Sequence, residues 1–467
     1  MKTSWMNHLI PAARLLALSA ALAAGNASAE DAAGDWSGLL AGQLHIVVHV
    51  TKDAGHYSAT LESPDQGNFV LPADQVAADA DHFSFAIPKI GGRFAGTWNP
   101  QQNGWVGTWT QGSSVPFVLS RMTNRALALA PVKRPQEEAI AAGPRPYAQE
   151  AVRFANAAAG IELAGTLSLP NGAGPFPAVV LVCGSGPFTR DEDFMGHKVF
   201  LVLADALNRR GIAVLRYDKR GVGESSGNVE TASFTDFASD AQAALGFLRS
   251  RPEIAAHRVG LIGHSEGGLV APLVALRDPS VRFVILIAAP GVRLSQLARL
   301  QNAAMAKASG TPDADIERRL AFFDKIYVDL ATAPGEEQGR AVAKADVTQA
   351  LADKVALGVT PDAFVSNITS VRTRQLFAYD PVPALRLLKT PVLALNGSLD
   401  LQVPAEENLS PIRAALRGNP QATVVELPNL NHLFQTAKRG TPTEYGEIEE
   451  TIAPAALKMI TDWVVAR

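Results

Sequence analysis

The sequence predicts an α/β protein with a mostly parallel, doubly wound sheet and a helical cap, preceded by a small antiparallel all-β domain. Two observations lead to this class. Between about residues 35 and 121, apolar residues alternate with polar ones, which is the period of strands with one buried face. From residue 150 onwards, apolar runs of strand length alternate with segments of helical periodicity, as in the strand–helix units that build parallel sheets.

The composition indicates a folded chain with more than one domain. Its 467 residues exceed the roughly 100–200 that are typical of one domain. Hydrophobic residues make up 47% and charged residues 19%, so material for a large core is present. The net charge of -3 lacks the basic excess of nucleic-acid-binding or polybasic membrane surfaces. The single cysteine, Cys183, excludes a disulfide within one chain and cysteine-based zinc sites.

Residues 1–29 have the pattern of an export signal. Lys2 and Arg14 supply positive charge, the run LLALSAALAAG forms a short apolar core, and Ala27-Ser28-Ala29 provides small residues for cleavage. The apolar run is shorter than the roughly 20 residues of a membrane-spanning helix. We therefore expect cleavage near Ala29 and a periplasmic or secreted protein without stable membrane insertion.

Residues 30–121 are predicted to form an antiparallel barrel or sandwich. Several short alternating runs separated by turn residues are typical of these folds. Gly96-Thr97-Trp98 recurs as Gly107-Thr108-Trp109 with the turn-rich NPQQNG between them, which predicts the two arms of a hairpin. We interpret the tryptophans as core residues, and a ligand-stacking platform is the alternative.

Residues 122–149 are predicted to be a linker, because periodicity is lost and APVKRPQEEAIAAGPRPY combines three prolines with mixed charge. Residues 150–467 are predicted to be a catalytic α/β domain. Its expected strands are FPAVVLVCG, GIAVLRYD, HRVGLIGHS, VRFVILIAAP, TPVLALNGSLD and ATVVELP. The stretch from about 291 to 388 has helical spacing, so we expect a cap over the carboxyl ends of the strands, where such folds bind ligands.

The segment Gly263-His264-Ser265-Glu266-Gly267 matches the pattern G-x-S-x-G. It lies between a predicted strand and a predicted helix, and a tight turn in this context lifts the serine hydroxyl out of the sheet. A serine hydroxyl is a weak nucleophile unless a base accepts its proton. Ser265 is therefore a candidate nucleophile that needs a histidine elsewhere in the chain.

His432 is the one histidine that follows Ser265 in the sequence. In folds with this strand–turn–helix motif, the chain order is serine, then acid, then histidine. Asp400 ends the strand segment TPVLALNGSLD and is the preferred acid, while Asp380 at the exit of the insertion is the weaker alternative. The sequence thus predicts a triad of Ser265, Asp400 and His432.

A tetrahedral intermediate needs N–H donors directed at its oxyanion. The backbone N–H of Glu266 is expected to be one donor. The second is expected from the loop after FPAVVLV, with Ser185 as first choice and Gly186 as second. This glycine-rich loop is an unlikely phosphate site because no G-K-[ST] follows it.

Three residues and one loop near these candidates are not assigned a catalytic step. His264 is expected to pack beside the turn, and Cys183 to be buried at a strand end. Glu266 either favours the helix amino terminus or influences the charge preference for substrates. The loop of residues 216–223, RYDKRGVG, is interpreted as an ion-pair and turn segment, with pocket lining as the alternative.

Residues from about 150 to 467 resemble the serine-aminopeptidase-like esterases of the α/β-hydrolase superfamily. The matching motifs are CGSGPFTRDED, RYDKRGVGESSG, GLIGHSEGGLVAP, NGSLDLQVP and LPNLNHLF, in the expected order. The resemblance implies an α/β-hydrolase fold with nucleophile, acid and base at Ser265, Asp400 and His432. This sequence differs from the family at Cys183, where relatives commonly have histidine. The β-rich domain resembles an accessory domain that precedes such esterases.

These observations favour an exported hydrolase of small carboxylic esters with short to medium acyl chains. The mechanism needs no metal and no organic cofactor, and no nucleic-acid partner is expected. An aminopeptidase or thioester hydrolase would use the same triad, and Glu266 or Asp191 would then be candidates to bind a free amine. A glycan- or lipid-binding protein with a vestigial site is the non-enzymatic alternative. The sequence leaves the oligomeric state and the natural substrate open.

Overall fold

We describe the fold from a computed structural model. The structure describes residues 31–40, 44–63, 69–100, 102–111, 113–122, 133–229, 231–308, 310–355, 357 and 361–467. The predicted export signal of residues 1–29, with its cleavage site near Ala29, lies outside the described residues. So does the middle of the predicted linker, residues 123–132.

The first sheet is antiparallel and contains nine strands among the described residues. They are β1 (Gly34–Leu40), β2 (Leu44–Asp53), β3 (His56–Ser63), β4 (Phe69–Pro72), β5 (Asp74–Ala78), β6 (His82–Ile87), β7 (Gly92–Asn99), β8 (Gly104–Gln111) and β9 (Ser113–Arg121). β9 pairs with β1, and the two edge strands β4 and β5 are separated in the chain by Ala73 alone. The chain therefore joins the two edges of the sheet directly. The predicted antiparallel all-β domain is confirmed.

The core of this first domain is rich in aromatic side chains. The predicted hairpin is formed by β7 and β8, with Gly96 opposite Gly107. A Cβ on Gly107 would lie 2.1 Å from the carbonyl oxygen of Ala95, so a larger residue has no room at this pairing. Trp105 and Trp109 are buried, as a core role requires. The buried aromatic residues of this core are Trp36, Phe83, Phe85, Phe94, Trp105, Trp109 and Phe117.

The described part of the predicted linker, residues 133–149, contains regular structure. Helix α1 (Pro135–Ala142) begins with a proline at its first turn, and strand β10 (Tyr147–Asn156) begins before residue 150. Proline at this position lacks only an N–H that a helix start leaves unbonded, so it favours a helix rather than breaking one. Gln136 of α1 accepts hydrogen bonds from the N–H groups of Thr451 and Ile452. This part of the predicted linker therefore contains a helix and the start of a strand, and it packs on the second domain.

As far as the structure describes the chain, the second sheet has eight strands in the order β10-β11-β15-β12-β16-β17-β18-β19. Besides β10, these are β11 (Ile161–Pro170), β12 (Phe176–Val182), β15 (Ala213–Tyr217), β16 (Ile254–His264), β17 (Val284–Ile287), β18 (Val392–Gly397) and β19 (Ala422–Leu427). Strands β10 and β11 are antiparallel to their neighbours and the remaining pairs are parallel. A small hairpin, β13 (Asp193–Phe194) with β14 (His197–Lys198), stands apart. This arrangement confirms the predicted mostly parallel α/β-hydrolase sheet.

Helices cover both faces of this sheet. They are α2 (Val199–Asn208), α3 (Phe234–Ser250), α4 (Gly267–Arg277), α11 (Ala405–Ala415), α12 (Pro442–Tyr445) and α13 (Pro454–Val465). Alternate residues of β12 enter different cores: Val180 belongs to the core that also contains residues of α3, α4 and α11, whereas Val179 and Leu181 belong to the core with residues of α2 and α13. A strand with both faces buried is apolar throughout, which explains the run FPAVVLV.

In the described part of the segment between β17 and β18, six helices form an insertion. They are α5 (Leu294–Ala308), α6 (Asp313–Thr332), α7 (Glu336–Ala352), α8 (Pro361–Thr369), α9 (Val371–Ala378) and α10 (Val382–Leu387). The predicted helical cap is confirmed. No helix within the described ranges is both long and apolar enough to cross a membrane.

Candidate active site

Ser265 occupies the tight turn between β16 and α4. Its φ of 50° lies in the left-handed region, which is costly for a residue with a side chain. Its N–H is bonded to the carbonyl oxygen of Ile287 in the adjacent strand at 2.8 Å, which anchors the turn to the sheet. The predicted strand–turn–helix context of Ser265 is therefore present.

The glycines around Ser265 are required by close backbone contacts. A Cβ on Gly263 would lie 2.1 Å from the carbonyl oxygen of Gly267. A Cβ on Gly267 would lie 1.9 Å from the carbonyl oxygen of Val182. The second contact presses the first turn of α4 against the end of β12, so the turn can form only with glycine there.

His432 and Asp400 meet at the same edge of the sheet. Nδ1 of His432 lies 2.8 Å from Oδ2 of Asp400, and both side chains are buried. The other carboxylate oxygen of Asp400 accepts hydrogen bonds from the N–H groups of Gln402 and Val403. Asp380, the alternative acid, instead accepts a hydrogen bond from the N–H of Val382. The structure thus brings Asp400, and not Asp380, to His432.

A cavity of about 310 Å³ contains both Ser265 and His432 on its wall. It lies at the carboxyl ends of β12, β16, β18 and β19, with α5 and α9 of the cap opposite. Ser185 also lines it, whereas Gly186 is not among the lining residues. The wall is mostly apolar, and its larger apolar members are Phe188, Phe194, Phe234, Leu269, Leu294, Leu297, Leu376, Phe377, Val403 and Leu433.

The loop after β12 is bonded to a buried carboxylate. Oε1 of Glu192 accepts a hydrogen bond of 2.6 Å from the N–H of Gly184 and lies 3.0 Å from Nδ1 of His264. Nε2 of His264 lies 3.0 Å from the carbonyl oxygen of His432, so it donates there. Burial acts to lower the pKa of His264, but the charge and hydrogen bond of Glu192 outweigh it and raise this pKa. His264 is thus packed beside the turn, as expected, and it also links two loops of the site.

Glu266 forms a buried ion pair. Its Oε2 lies 2.6 Å from Nζ of Lys219, and the same ammonium donates to the carbonyl oxygen of Gly184 at 2.7 Å. Glu266 is the residue at the start of α4, yet its side chain makes no capping hydrogen bond there. The carboxylate is therefore paired with Lys219 at the base of the cavity, which Glu266 also lines.

Other charged residues of the RYDKRGVG loop are also paired. Arg216 contacts Asp191, Asp218 accepts hydrogen bonds from Arg190, and Arg220 lies 2.7 Å from Asp240. These contacts support the interpretation of this loop as an ion-pair segment. Lys219 and Glu192 were the site residues that sequence reasoning missed. Their position inside the motifs RYDKRGVG and FTRDED was the one available signal.

Cys183 is buried, and this burial raises the pKa of its thiol to about 12. Such a thiol is almost entirely protonated at neutral pH and is a poor nucleophile. Within the described ranges, no group of three His, Cys, Asp or Glu side chains is arranged to hold a metal ion.

Comparison with known proteins gives a family match and several similar proteins. A family model described as Hydrolase_4, serine aminopeptidase, S33, matches residues 197–434, just over half of the chain. Esterase EstD from Thermotoga maritima is 28% identical over 312 residues, which are 65% of this chain and 65% of that protein. The chain therefore spans slightly less than two thirds of this relative's length.

Two solved structures are similar at a lower level of identity. The Pyrococcus furiosus esterase PF2001 has 16% identity and a TM-score of 0.41, with 60% of this chain and 83% of that chain covered. Est1E from Butyrivibrio proteoclasticus, solved with ferulic acid bound, has 15% identity and a TM-score of 0.40. The match covers 68% of this chain and 96% of that chain.

Proposed function

The chain belongs to the Hydrolase_4 family, described as serine aminopeptidases, S33, and from this membership we propose that it cleaves carboxylic esters with short to medium acyl chains. The proposal rests chiefly on one observation, the 2.8 Å contact of His432 with Asp400 beside the cavity that Ser265 lines. A strained serine, a buried histidine and a carboxylate that holds this histidine are the parts of a Ser-His-Asp triad.

The proposed reaction has two stages. Asp400 holds Nδ1 of His432, so Nε2 is the nitrogen that accepts the proton when Oγ of Ser265 attacks the ester carbonyl carbon. The N–H groups of Glu266 and Ser185 stabilise the oxyanion that forms. His432 then gives its proton to the departing alcohol and leaves an acyl-enzyme. Water, deprotonated by His432, then attacks this ester, and His432 returns the proton to Oγ of Ser265 as the acid is released.

The substrate class follows from the cavity. A volume of about 310 Å³ is at the lower end of the roughly 300–1,000 Å³ of ligand pockets. Its wall is mostly apolar and accommodates an acyl chain by burying it from water. The cap helices α5 and α9 supply much of this wall, so the cap is expected to limit chain length. A relative named as an esterase, EstD, agrees with this choice.

An aminopeptidase is the second candidate, because the family description names that activity. Such an enzyme needs a free carboxylate to bind the ammonium of its substrate. The two carboxylates expected for this role are already paired, Glu266 with Lys219 and Asp191 with Arg216. We therefore favour the ester. Faster turnover of aminoacyl-p-nitroanilides than of p-nitrophenyl butyrate would reverse this preference.

The direct test replaces the nucleophile. Ser265→Ala is expected to lower kcat on p-nitrophenyl acetate and butyrate by about 10⁴-fold or more while the melting temperature stays close to wild type. The control is Ser250→Ala at the exposed end of α3, which should leave kcat unchanged. A fluorophosphonate probe should label the wild type at Ser265. Full turnover by the alanine variant would contradict the proposal, and absence of labelling would favour a vestigial site.

We also propose that the protein is exported and cleaved near Ala29. The support is the charged start, short apolar run and small residues of positions 1–29. Edman sequencing of the protein from its native host is expected to begin at Glu30. A mature chain that begins at Met1 would contradict export by this route.

A further inference from the structure

The peptide unit between Gly184 and Ser185 is contacted by a buried cation. The ammonium of Lys219 donates a hydrogen bond of 2.7 Å to the carbonyl oxygen of Gly184. That carbonyl belongs to the same peptide unit as the N–H of Ser185, the group assigned above to the oxyanion. Hydrogen bonds polarise one another, so a cation at the carbonyl makes the N–H at the other end a stronger donor.

The same ammonium is bonded to the residue that supplies the other oxyanion donor. Nζ of Lys219 lies 2.6 Å from Oε2 of Glu266. Each residue is only 4% exposed, and the ring of Phe237 lies 4.4 Å from the ammonium. Charges attract more strongly where water is excluded. The pair therefore holds Lys219 in one position, within reach of both donor residues.

The peptide unit between Cys183 and Gly184 is bonded to a different side chain. The N–H of Gly184 donates to Glu192, which also contacts His264, the residue before Ser265. Because this N–H is already bonded to a carboxylate, it is not available for an oxyanion. The N–H of Gly184 is thus bonded to Glu192, and its carbonyl oxygen to Lys219. Glu192 also contacts His264, and Lys219 also contacts Glu266, so the two residues that flank Ser265 are linked to Gly184.

We propose that Lys219 is a positioning residue that orients and polarises the N–H of Ser185 toward the oxyanion, and that Glu266 holds Lys219 in place. This inference rests on the proposed function, since it presupposes attack by Ser265. Negative charge on the substrate oxygen is greatest in the transition state, so the effect belongs to kcat more than to KM. Loss of a whole oxyanion donor lowers kcat by about 10²–10³-fold. Weakening one donor is expected to lower it by about 10–100-fold.

The test removes the cation without leaving an unpaired buried charge. In K219M/E266Q, kcat on p-nitrophenyl butyrate is expected to fall about 10–100-fold, while KM changes less than about threefold. Affinity for phenylboronic acid, which forms a tetrahedral adduct with serine, should weaken by a similar factor. Affinity for 1-butanol, which lacks a carbonyl oxygen, should not change. If Lys219 only stabilised the fold, the substitutions would not change the affinity for phenylboronic acid while leaving the affinity for 1-butanol unchanged.

A matched control uses the neighbouring buried pair of Arg220 and Asp240. Arg220 bonds the backbone of Asp236 rather than Gly184, so R220M/D240N is expected to keep kcat within about threefold of wild type. If the test variant is too unstable to purify, K219M/E266M replaces the pair by apolar side chains, a change that is often neutral for stability. The same kinetic results are expected.

Two outcomes overturn the inference. One is wild-type kcat and boronate affinity in the lysine variants, and the other is an equal loss of kcat in R220M/D240N. Ser265→Ala distinguishes this failure from failure of the proposed function. If Ser265→Ala is inactive while K219M/E266Q is fully active, only the role of Lys219 is wrong. If Ser265→Ala remains active, the proposed nucleophile is wrong as well.

Discussion

At the scale of single residues, the turn at Ser265 depends on close packing as much as on chemistry. Ser265 adopts a left-handed φ of 50° because its N–H is tied to β17 and its neighbours are pressed against β12. A Cβ atom on Gly267 would lie only 1.9 Å from the carbonyl oxygen of Val182. Strain at this point is compensated by the surrounding contacts, as is common at catalytic turns.

Gly267→Ala is accordingly expected to lower the free energy of unfolding by about 3 kcal/mol or more, because α4 or β12 must move. Gly246→Ala is the matched control: it lies inside α3 and a Cβ there meets nothing within 4 Å. Alanine loses less backbone entropy than glycine, so this control should raise stability by about 0.4–1 kcal/mol. Thermal unfolding of both variants provides the measurement. An unchanged melting temperature for Gly267→Ala would contradict the packing described here.

At the scale of elements, the sheet carries the candidate catalytic residues and the cap carries part of the apolar wall of the cavity. The carboxyl ends of four parallel strands lead to Ser185, Ser265, Asp400 and His432, since parallel strands end at one edge of a sheet. Helices α5 and α9 contribute apolar side chains to the opposite wall, among them Leu297 and Leu376. Reactivity is therefore expected to depend on the sheet, and selectivity on the cap.

Leu297→Ala should shift the preference toward longer acyl chains, because it removes the bulk of one apolar side chain from the wall. One methylene group in a pocket typically changes specificity by about 1–3 kcal/mol, so the kcat/KM ratio of octanoate to butyrate esters should rise at least about tenfold. Leu351→Ala on α7 is the control, since this side chain is 48% exposed and lies outside the cavity. An unaltered ratio in Leu297→Ala would mean that the acyl chain binds elsewhere.

At the scale of the whole molecule, segments far apart in sequence meet around His197. This buried side chain contacts Thr451 and the carbonyl oxygen of Tyr445, and α1 reaches the same region through Glu137. Burial lowers the pKa of His197 to about 4, assisted by the positive charge of Arg134 and opposed by the bond to Tyr445. The folded protein thus binds a proton here less readily than the unfolded chain, whose histidine pKa is about 6.5.

Stability is therefore expected to be unaffected by His197 above about pH 6.5 and to fall as the pH decreases from there toward 4. The full loss is about 3 kcal/mol for this pKa difference. His197→Gln should flatten the dependence of the melting temperature on pH between 4 and 7. His257→Gln, at an exposed position, is the control and should keep the wild-type slope. Equal slopes in both variants would rule out His197 as a source of acid sensitivity.

The sequence by itself determined the order of the parallel strands from β12 to β19 and the candidate triad. The runs around Val180 and Ile262 are apolar because both faces of a central strand are buried, and this pattern can be recognised locally. Ser265 stood in a strand–turn–helix context with one histidine after it, which limited the base to His432. The alternation of the first domain predicted its antiparallel sheet for the same reason, since strand period depends on neighbouring residues.

The tertiary structure alone decided which charged side chains meet. Lys219 and Glu266 are 47 residues apart, and Glu192 and His264 are 72 residues apart. No local pattern indicates such pairs, because burial and pairing depend on how the strands are ordered in the sheet. For the same reason helix α1 was not predicted, since Gln136 bonds residues more than 300 positions away and Glu137 bonds Lys198. Glu266, whose role the sequence left between two alternatives, proved to be the buried partner of Lys219.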